Sequence, residues 1–176
     1  DTLCMNDGHA YVADEEGIAW ELSNEVKNNY SLEAVMGSVD SLAVTDQYLV
    51  TVTGEDVLGV KEKNGDNTYK IQADHEGDKP ITDGEHFLTY TGKEAEHFTL
   101  EEDKLKQEDS YSLGEEVLNA QIAGDKAVLS GENRSKTIDL YTGEETVEEG
   151  RMMYMDPFSK IKMRDGNTLL ETYKPE

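Results

Sequence analysis

The sequence predicts an all-β fold assembled from repeated four-stranded antiparallel units. Three observations predict it. Asp-anchored turns recur at near-constant spacing, the segments between them alternate apolar and polar residues, and no segment carries a sustained 3.6-residue apolar stripe. The turns are Asp7-Gly8, Asp46-Gln47, Asp83-Gly84, Gly124-Asp125 and Asp165-Gly166, and their aspartates are separated by 39, 37, 42 and 40 residues. Each turn precedes a short apolar run, and unrelated loops have no reason to keep such a period.

Taken in order, each repeat divides into strands a to d. The first repeat reads Thr2–Met5, His9–Ala13, Ile18–Leu22 and Asn29–Leu32. The second reads Ser41–Val44, Tyr48–Thr53, Val57–Lys61 and Thr68–Gln72, and the third Lys79–Thr82, Glu85–Thr91, Glu96–Leu100 and Lys104–Glu108. The fourth reads Leu118–Ala123, Ala127–Ser130, Lys136–Tyr141 and Glu144–Glu149, and a fifth opens with Ser159–Met163 and Asn167–Tyr173. Asn64-Gly65, Thr91-Gly92 and Thr142-Gly143 fall between alternating runs, where hairpin tips want residues that tolerate positive φ. The d strands are the most charged, as an outer edge must be to discourage edge-to-edge pairing. The best helical candidate, Glu21–Val26, lacks the stripe. A period near 40 residues without helical signals is what a four-stranded β-propeller blade needs. The expected fold is therefore a partial β-propeller of about four blades plus a half blade. Its units run 1–38, 39–78, 79–114, 115–156 and 157–176, one domain that is part of a longer propeller. A small all-β sandwich is the other architecture compatible with the pattern.

Composition narrows the partners. The 39 acidic and 16 basic residues give a net charge of −23, which opposes nucleic acid and anionic membrane surfaces. Cations, basic proteins and neutral glycans are compatible, so the expected partner is a protein or a glycan. No apolar run approaches the length of a membrane span. Cys4 is the single cysteine, so no internal disulfide forms. The chain starts at Asp1 without a basic-then-apolar leader, which reads as a removed leader or a trimmed chain, and the expected location is extracellular or the cell envelope. Asn29-Tyr30-Ser31 and Asn133-Arg134-Ser135 match the glycosylation triplet, a pattern frequent by chance.

The stretch Thr137-Ile138-Asp139-Leu140-Tyr141-Thr142-Gly143-Glu144-Glu145-Thr146-Val147 resembles the repeat of pyrroloquinoline-quinone-type β-propellers. That repeat places a small residue two before an Asp, then Thr-Gly, then a Trp that docks between blades. Asp139, Thr142 and Gly143 match, while Val147 stands where the Trp belongs. The chain is also similar, less specifically, to WD-repeat propellers, although it has no Trp-Asp pair and Trp20 is its only Trp. The resemblance implies a propeller. The quinone enzymes of that superfamily bind their cofactor and a metal at the centre of a much longer ring, so no cofactor is expected here.

Few residues point to chemistry. Asp74-His75-Glu76-Gly77-Asp78 begins like a calcium loop, but Lys79 occupies the place that needs Gly and no helices flank it. His86 and His97 fall on one face of a predicted hairpin, as a hydrogen-bonded pair or as two of the three ligands a metal needs. Phe87 and Phe98 then share the other face. Cys4 has no organised His partner, and no Gly-x-Ser-x-Gly elbow occurs. The expected function is a non-catalytic binding or scaffold module; the alternative is part of a quinoprotein-like propeller enzyme whose active site lies outside this chain. Binding is expected in the turn loops, near Asp46, Asp83 and Asp125, whose carboxylates also suit turn capping through backbone N–H groups. Self-repulsion among −23 charges predicts that added monovalent salt raises the melting temperature, as screening shortens the Debye length to about 8 Å at physiological ionic strength. A melting temperature that stays flat or falls between low and moderate salt contradicts that expectation.

Overall fold

The structure is a computed structural model that describes residues 2–6, 9–26, 29–36, 39–53, 57–63, 65, 67–71, 79–102, 104–156 and 159–172. Among them all regular structure is β, in five antiparallel meanders that follow chain order. Sheet one holds β1 (Thr2–Asn6), β2 (His9–Ala13), β3 (Ala19–Val26) and β4 (Asn29–Met36). Sheet two holds β5 (Ser41–Val44), β6 (Tyr48–Thr53), β7 (Val57–Glu62) and β8 (Thr68–Ile71). Sheet three holds β9 (Lys79–Thr82), β10 (His86–Thr91), β11 (Glu94–Glu101) and β12 (Lys104–Ser112), and sheet four holds β13 (Asn119–Ala123), β14 (Lys126–Ser130), β15 (Arg134–Asp139) and β16 (Glu145–Glu149). Sheet five has three strands, β17 (Arg151–Met155), β18 (Ser159–Arg164) and β19 (Asn167–Thr172). Glu21–Val26, the best helical stretch in the sequence, lies in β3.

The chain divides into two compact units, one of residues 1–89 and 96–108, the other of residues 90–95 and 109–176. In the first unit, the strand one in from the edge decides the packing. Leu49, Val50, Thr51 and Val52 of β6 are all buried, an apolar run that a sheet covered on only one side would not tolerate. Leu49 joins Tyr11, Ala13, Ala19, Val39 and Leu42 on one face. Val50 and Val52 join Leu58, Val60, Tyr69, Phe87 and Phe98 on the other. Period-two alternation along β6 thus sends successive side chains into two different clusters. Tyr48 meets the Phe87 ring edge-on at 5.7 Å between centroids.

In the second unit, sheet five packs on sheet four through Met152 and Met155 against Val128 and Ala123. Two polar contacts fix the fit. Met152 N donates to Ser130 Oγ at 2.8 Å, and Met155 N donates to Gln121 Oε1 at 3.2 Å. Gly150, at φ +98°, makes the crossover between these sheets; a Cβ there would stand 2.8 Å from the Met163 carbonyl oxygen. No other residue fits both the backbone angle and the space.

Most predicted strands occur at the predicted places, with two corrections. Arg151–Met155, which the strand pattern does not mark, is the first strand of sheet five, so Ser159–Arg164 and Asn167–Thr172 are its second and third strands. The register shifts between Met152 and Tyr154, a bulge that breaks period-two alternation in the sequence. Asp165-Gly166 consequently joins β18 to β19 and is not the fifth member of the a–b turn series. Both its residues take positive φ, +51° and +74°, as a two-residue type I′ hairpin requires. Asp156 holds the equivalent a–b turn instead, with Ser159 N donating to its Oδ1 at 2.7 Å. Thr142-Gly143 lies in a hairpin link as expected, whereas of Thr91-Gly92 only Gly92 does: Thr91 ends β10 and the link is Gly92-Lys93. Asn64, the Asp7-Gly8 turn and the Asp74–Asp78 loop lie outside the described residues. Since Phe98 is fully buried among the first unit's core, Phe98→Ala should cost about 3–5 kcal/mol in chemical denaturation. A loss under about 1 kcal/mol would contradict this packing.

Candidate functional site

Turn chemistry places the acidic residues. At the β9–β10 turn, Asp83 Oδ1 accepts from Glu85 N at 2.9 Å and His86 N at 2.8 Å. Thr82 Oγ1 accepts from Gly84 N and donates to the His86 carbonyl. At the β5–β6 turn the cap is Thr45, whose Oγ1 accepts from Tyr48 N at 3.0 Å and Gln47 N at 3.3 Å. Asp46, the next residue on this turn, is exposed. A Cβ on Gly84 would lie 3.7 Å from Thr45 Oγ1, so the two turns abut.

Together the turns enclose an open cleft of about 520 Å³ lined by Val44, Thr45, Asp46, Gln47, Asp83, Gly84 and Glu85. Its charged lining is three carboxylates. The structure thus brings Asp46 and Asp83 together and adds Glu85, which the turn pattern did not single out.

Asp125 belongs to the second unit and lines a separate cleft of about 400 Å³ with Lys126, Thr137, Thr146, Glu148, Met155, Asp156 and Lys160, among others. Its backbone carbonyl accepts from Leu140 N at 2.8 Å. Here too the cleft lies between successive a–b turns, those of Asp125 and Asp156. Sequence reasoning missed Asp156 because its turn continues Asp-Pro-Phe, without the Gly or Asn that marked the others.

Two residues of this lining, Glu148 and Lys160, belong to an ionic cluster. Lys160 Nζ reaches both oxygens of Glu148, at 3.0 and 3.1 Å, and Glu171 at 3.0 Å; Lys162 Nζ reaches Glu148 at 3.0 Å. Both lysine side chains are nearly buried, at 10% and 8% exposure. Desolvation pushes the Glu148 carboxyl up, but hydrogen bonds and charge from the two lysines outweigh it and hold the group below the usual carboxylate range. Asp139 is held low by the Thr142 and Tyr141 N–H groups, and Asp14 by Trp20 Nε1 at 2.6 Å with the Ile18 and Glu16 amides. The resemblance motif therefore has a local physical meaning. Asp139 caps the β15–β16 link, Gly143 supplies φ +72°, and Gly143 N closes back on the Asp139 carbonyl at 2.8 Å. Val147, in the Trp position of that repeat, is 56% exposed.

His86 and His97 form the expected pair, Nδ1 to Nε2 at 3.0 Å, both buried. Among the described residues no three His, Cys, Asp or Glu side chains converge as metal ligands do.

No known protein family and no curated protein matches the sequence. Solved structures match the fold. The chain is similar to Sqt1 of Saccharomyces cerevisiae (TM-score 0.63, 13% identity), over 87% of this chain and 51% of that one. It is also similar to BamB of Moraxella catarrhalis (TM-score 0.61, 11% identity), over 97% of this chain and 57% of that one. The fold is a partial β-propeller, and the chain spans about half the length of these two relatives in structure.

Because Glu148 titrates lower folded than unfolded, its stabilisation is present above the unfolded value of about 4.3 and is lost as pH falls through the folded one. Glu148→Gln should cost about 2–3 kcal/mol at pH 7 by leaving two nearly buried lysines without their shared acceptor. The difference from wild type should shrink on acidification. A gap independent of pH would show that Glu148 acts through packing.

Proposed function

We propose that this protein is a non-catalytic binding module of an acidic β-propeller, whose a–b turns receive a cationic segment of a partner protein. A propeller presents its strand-connecting turns to solvent while the sheets hold them in place, and such turns are where rigid scaffolds carry binding residues. The observation that carries the reading is the cleft of Asp46, Asp83 and Glu85, three exposed carboxylates held by two capped turns with no basic residue in the lining. Each exposed ion pair is worth only about 0.2–1 kcal/mol. Affinity at this cleft is therefore modest, salt-dependent and expressed strongly in the association rate. A protein segment fits better than a glycan, because the lining offers no aromatic platform.

A second reading, part of a quinoprotein-like propeller enzyme, draws support from the Asp139–Gly143 turn. The exposure of Val147 weighs against it, since the Trp of that repeat docks between blades and this side chain does not.

An octalysine peptide is a suitable probe. Combined Asp46→Asn, Asp83→Asn and Glu85→Gln should weaken its binding at least about tenfold by calorimetry at low salt, consistent with three lost pairs. Asn at position 83 keeps the capping oxygen. A control of equal charge change, Glu132→Gln with Glu144→Gln and Glu145→Gln, should bind as wild type. Equal weakening by both sets would mean that net charge binds the peptide and would sink the cleft proposal.

A further inference from the structure

Methionine is concentrated where sheets four and five meet. Of the six in the chain, Met152, Met153, Met155 and Met163 belong to sheet five. Met153 and Met163 are 43% and 41% exposed, Met155 is 9% exposed and Met152 is fully buried. With Val128 and Ala123, the inner two form the apolar cluster of the contact with sheet four. Met155 differs from Met152 in one respect. It also lines the cleft of about 400 Å³ between the Asp125 and Asp156 turns. Its thioether is therefore packed in the junction and still within reach of a small solute.

The side chain of Gln121 stands beside it. Gln121 and Ala123 alternate with Ile122 along β13, so both face the junction. Gln121 Oε1 accepts from Met155 N at 3.2 Å, which fixes the orientation of the side-chain amide. Its Nε2 is buried and has no acceptor among the described residues. The side chains of the apolar cluster bring it no oxygen: Val128, paired with Gln121 across β14, is aliphatic, and a thioether accepts only weakly. A buried donor left in this state is costly. One oxygen atom on the Met155 sulfur would supply the acceptor.

We propose that Met155 is a reversible oxidation site whose sulfoxide oxygen accepts the hydrogen bond that Gln121 Nε2 lacks. The oxidant is a hydroperoxide. A lone pair of Met155 Sδ attacks one peroxide oxygen, so that an S–O bond forms and the O–O bond breaks. The hydroxyl proton passes to the departing oxygen, which leaves as water when the oxidant is hydrogen peroxide. Sulfur loses two electrons and the peroxide gains them. A methionine sulfoxide reductase reverses the step. In an ordinary core the new oxygen stands unpaired and disrupts packing. Here the donor is already in place, and oxidation exchanges an apolar contact for a polar one while the junction stays closed.

Dilute hydrogen peroxide tests this on a background carrying Met5→Leu, Met36→Leu, Met153→Leu and Met163→Leu, with peptide mass spectrometry to locate the oxygen. Met155 should take it at least about tenfold faster than Met152, which reacts only through local opening. Each protein is then melted before and after oxidation of Met155. The background should lose less than about 2 °C, the shift that one lost hydrogen bond gives a chain of this size. Gln121→Glu keeps the acceptor for Met155 N and lacks the donor, so its loss should exceed that of the background by at least about 2 °C. Gln121→Leu also lacks the donor and serves if Gln121→Glu does not fold. Met155→Leu should show no loss under the same exposure, which sets aside any contribution of Cys4. Three results overturn the proposal: Met155 reacting no faster than Met152, equal losses with and without the Gln121 donor, or the same loss in Met155→Leu.

Discussion

The structure depends on one constraint: a sheet stacked on both faces needs a strand that is apolar on both sides. Strand β6 meets it with Leu49 turned one way and Val50 and Val52 the other. β10 and β14 show the same continuous burial. Each polar group on such strands must then find a partner inside, because an unpaired buried hydrogen-bonding group costs about 1–3 kcal/mol. Thr51 Oγ1 lies 3.5 Å from the Gly59 carbonyl, His86 meets His97, and Ser130 Oγ accepts the Met152 amide. The histidine pair is thus part of the packing solution.

The charge follows from the same constraint. With inner strands closed to it, the acidic excess collects in turns and on outer strands such as β12 and β16, where nearly every side chain is exposed. There the carboxylates serve as turn caps, at Asp14, Asp83, Asp139 and Asp156. Two carboxylates depart from this: Glu96 is buried on β11, where it accepts from Gln107 Nε2 at 3.2 Å, and Glu148 is drawn inward to meet Lys160 and Lys162 on the face that sheet five presents to sheet four.

Strands bounded by a capped turn on one side and clean alternation on the other were legible to the residue: β2, β5, β6 and β9 begin and end where the pattern places them. β17 was not, because Arg-Met-Met-Tyr-Met offers no alternation and its bulge conceals the period. β15 ends at Asp139, two residues before the apolar pattern does, because the Asp139 carboxylate takes the Tyr141 and Thr142 amides. Of the candidate site, the aspartates at positions 46, 83 and 125 could be picked out as turn residues. That two of them share a cleft and the third lies with Asp156 follows from how neighbouring sheets stack, which strand patterns do not encode. Glu85 was invisible for the same reason.

Every sheet is a meander of consecutive strands, so each strand's ladder partners lie next to it in the chain. Pairing of this kind closes short loops, the least expensive in chain entropy. Contact order within a sheet is low even though the protein is all-β, a class that ordinarily folds slowly because its pairings are distant. During synthesis each sheet has all its strands once about 40 residues have emerged, and it can then serve as a surface on which the next one condenses. The N-terminal sheets can therefore assemble while Glu148 and its two lysines are still unmade.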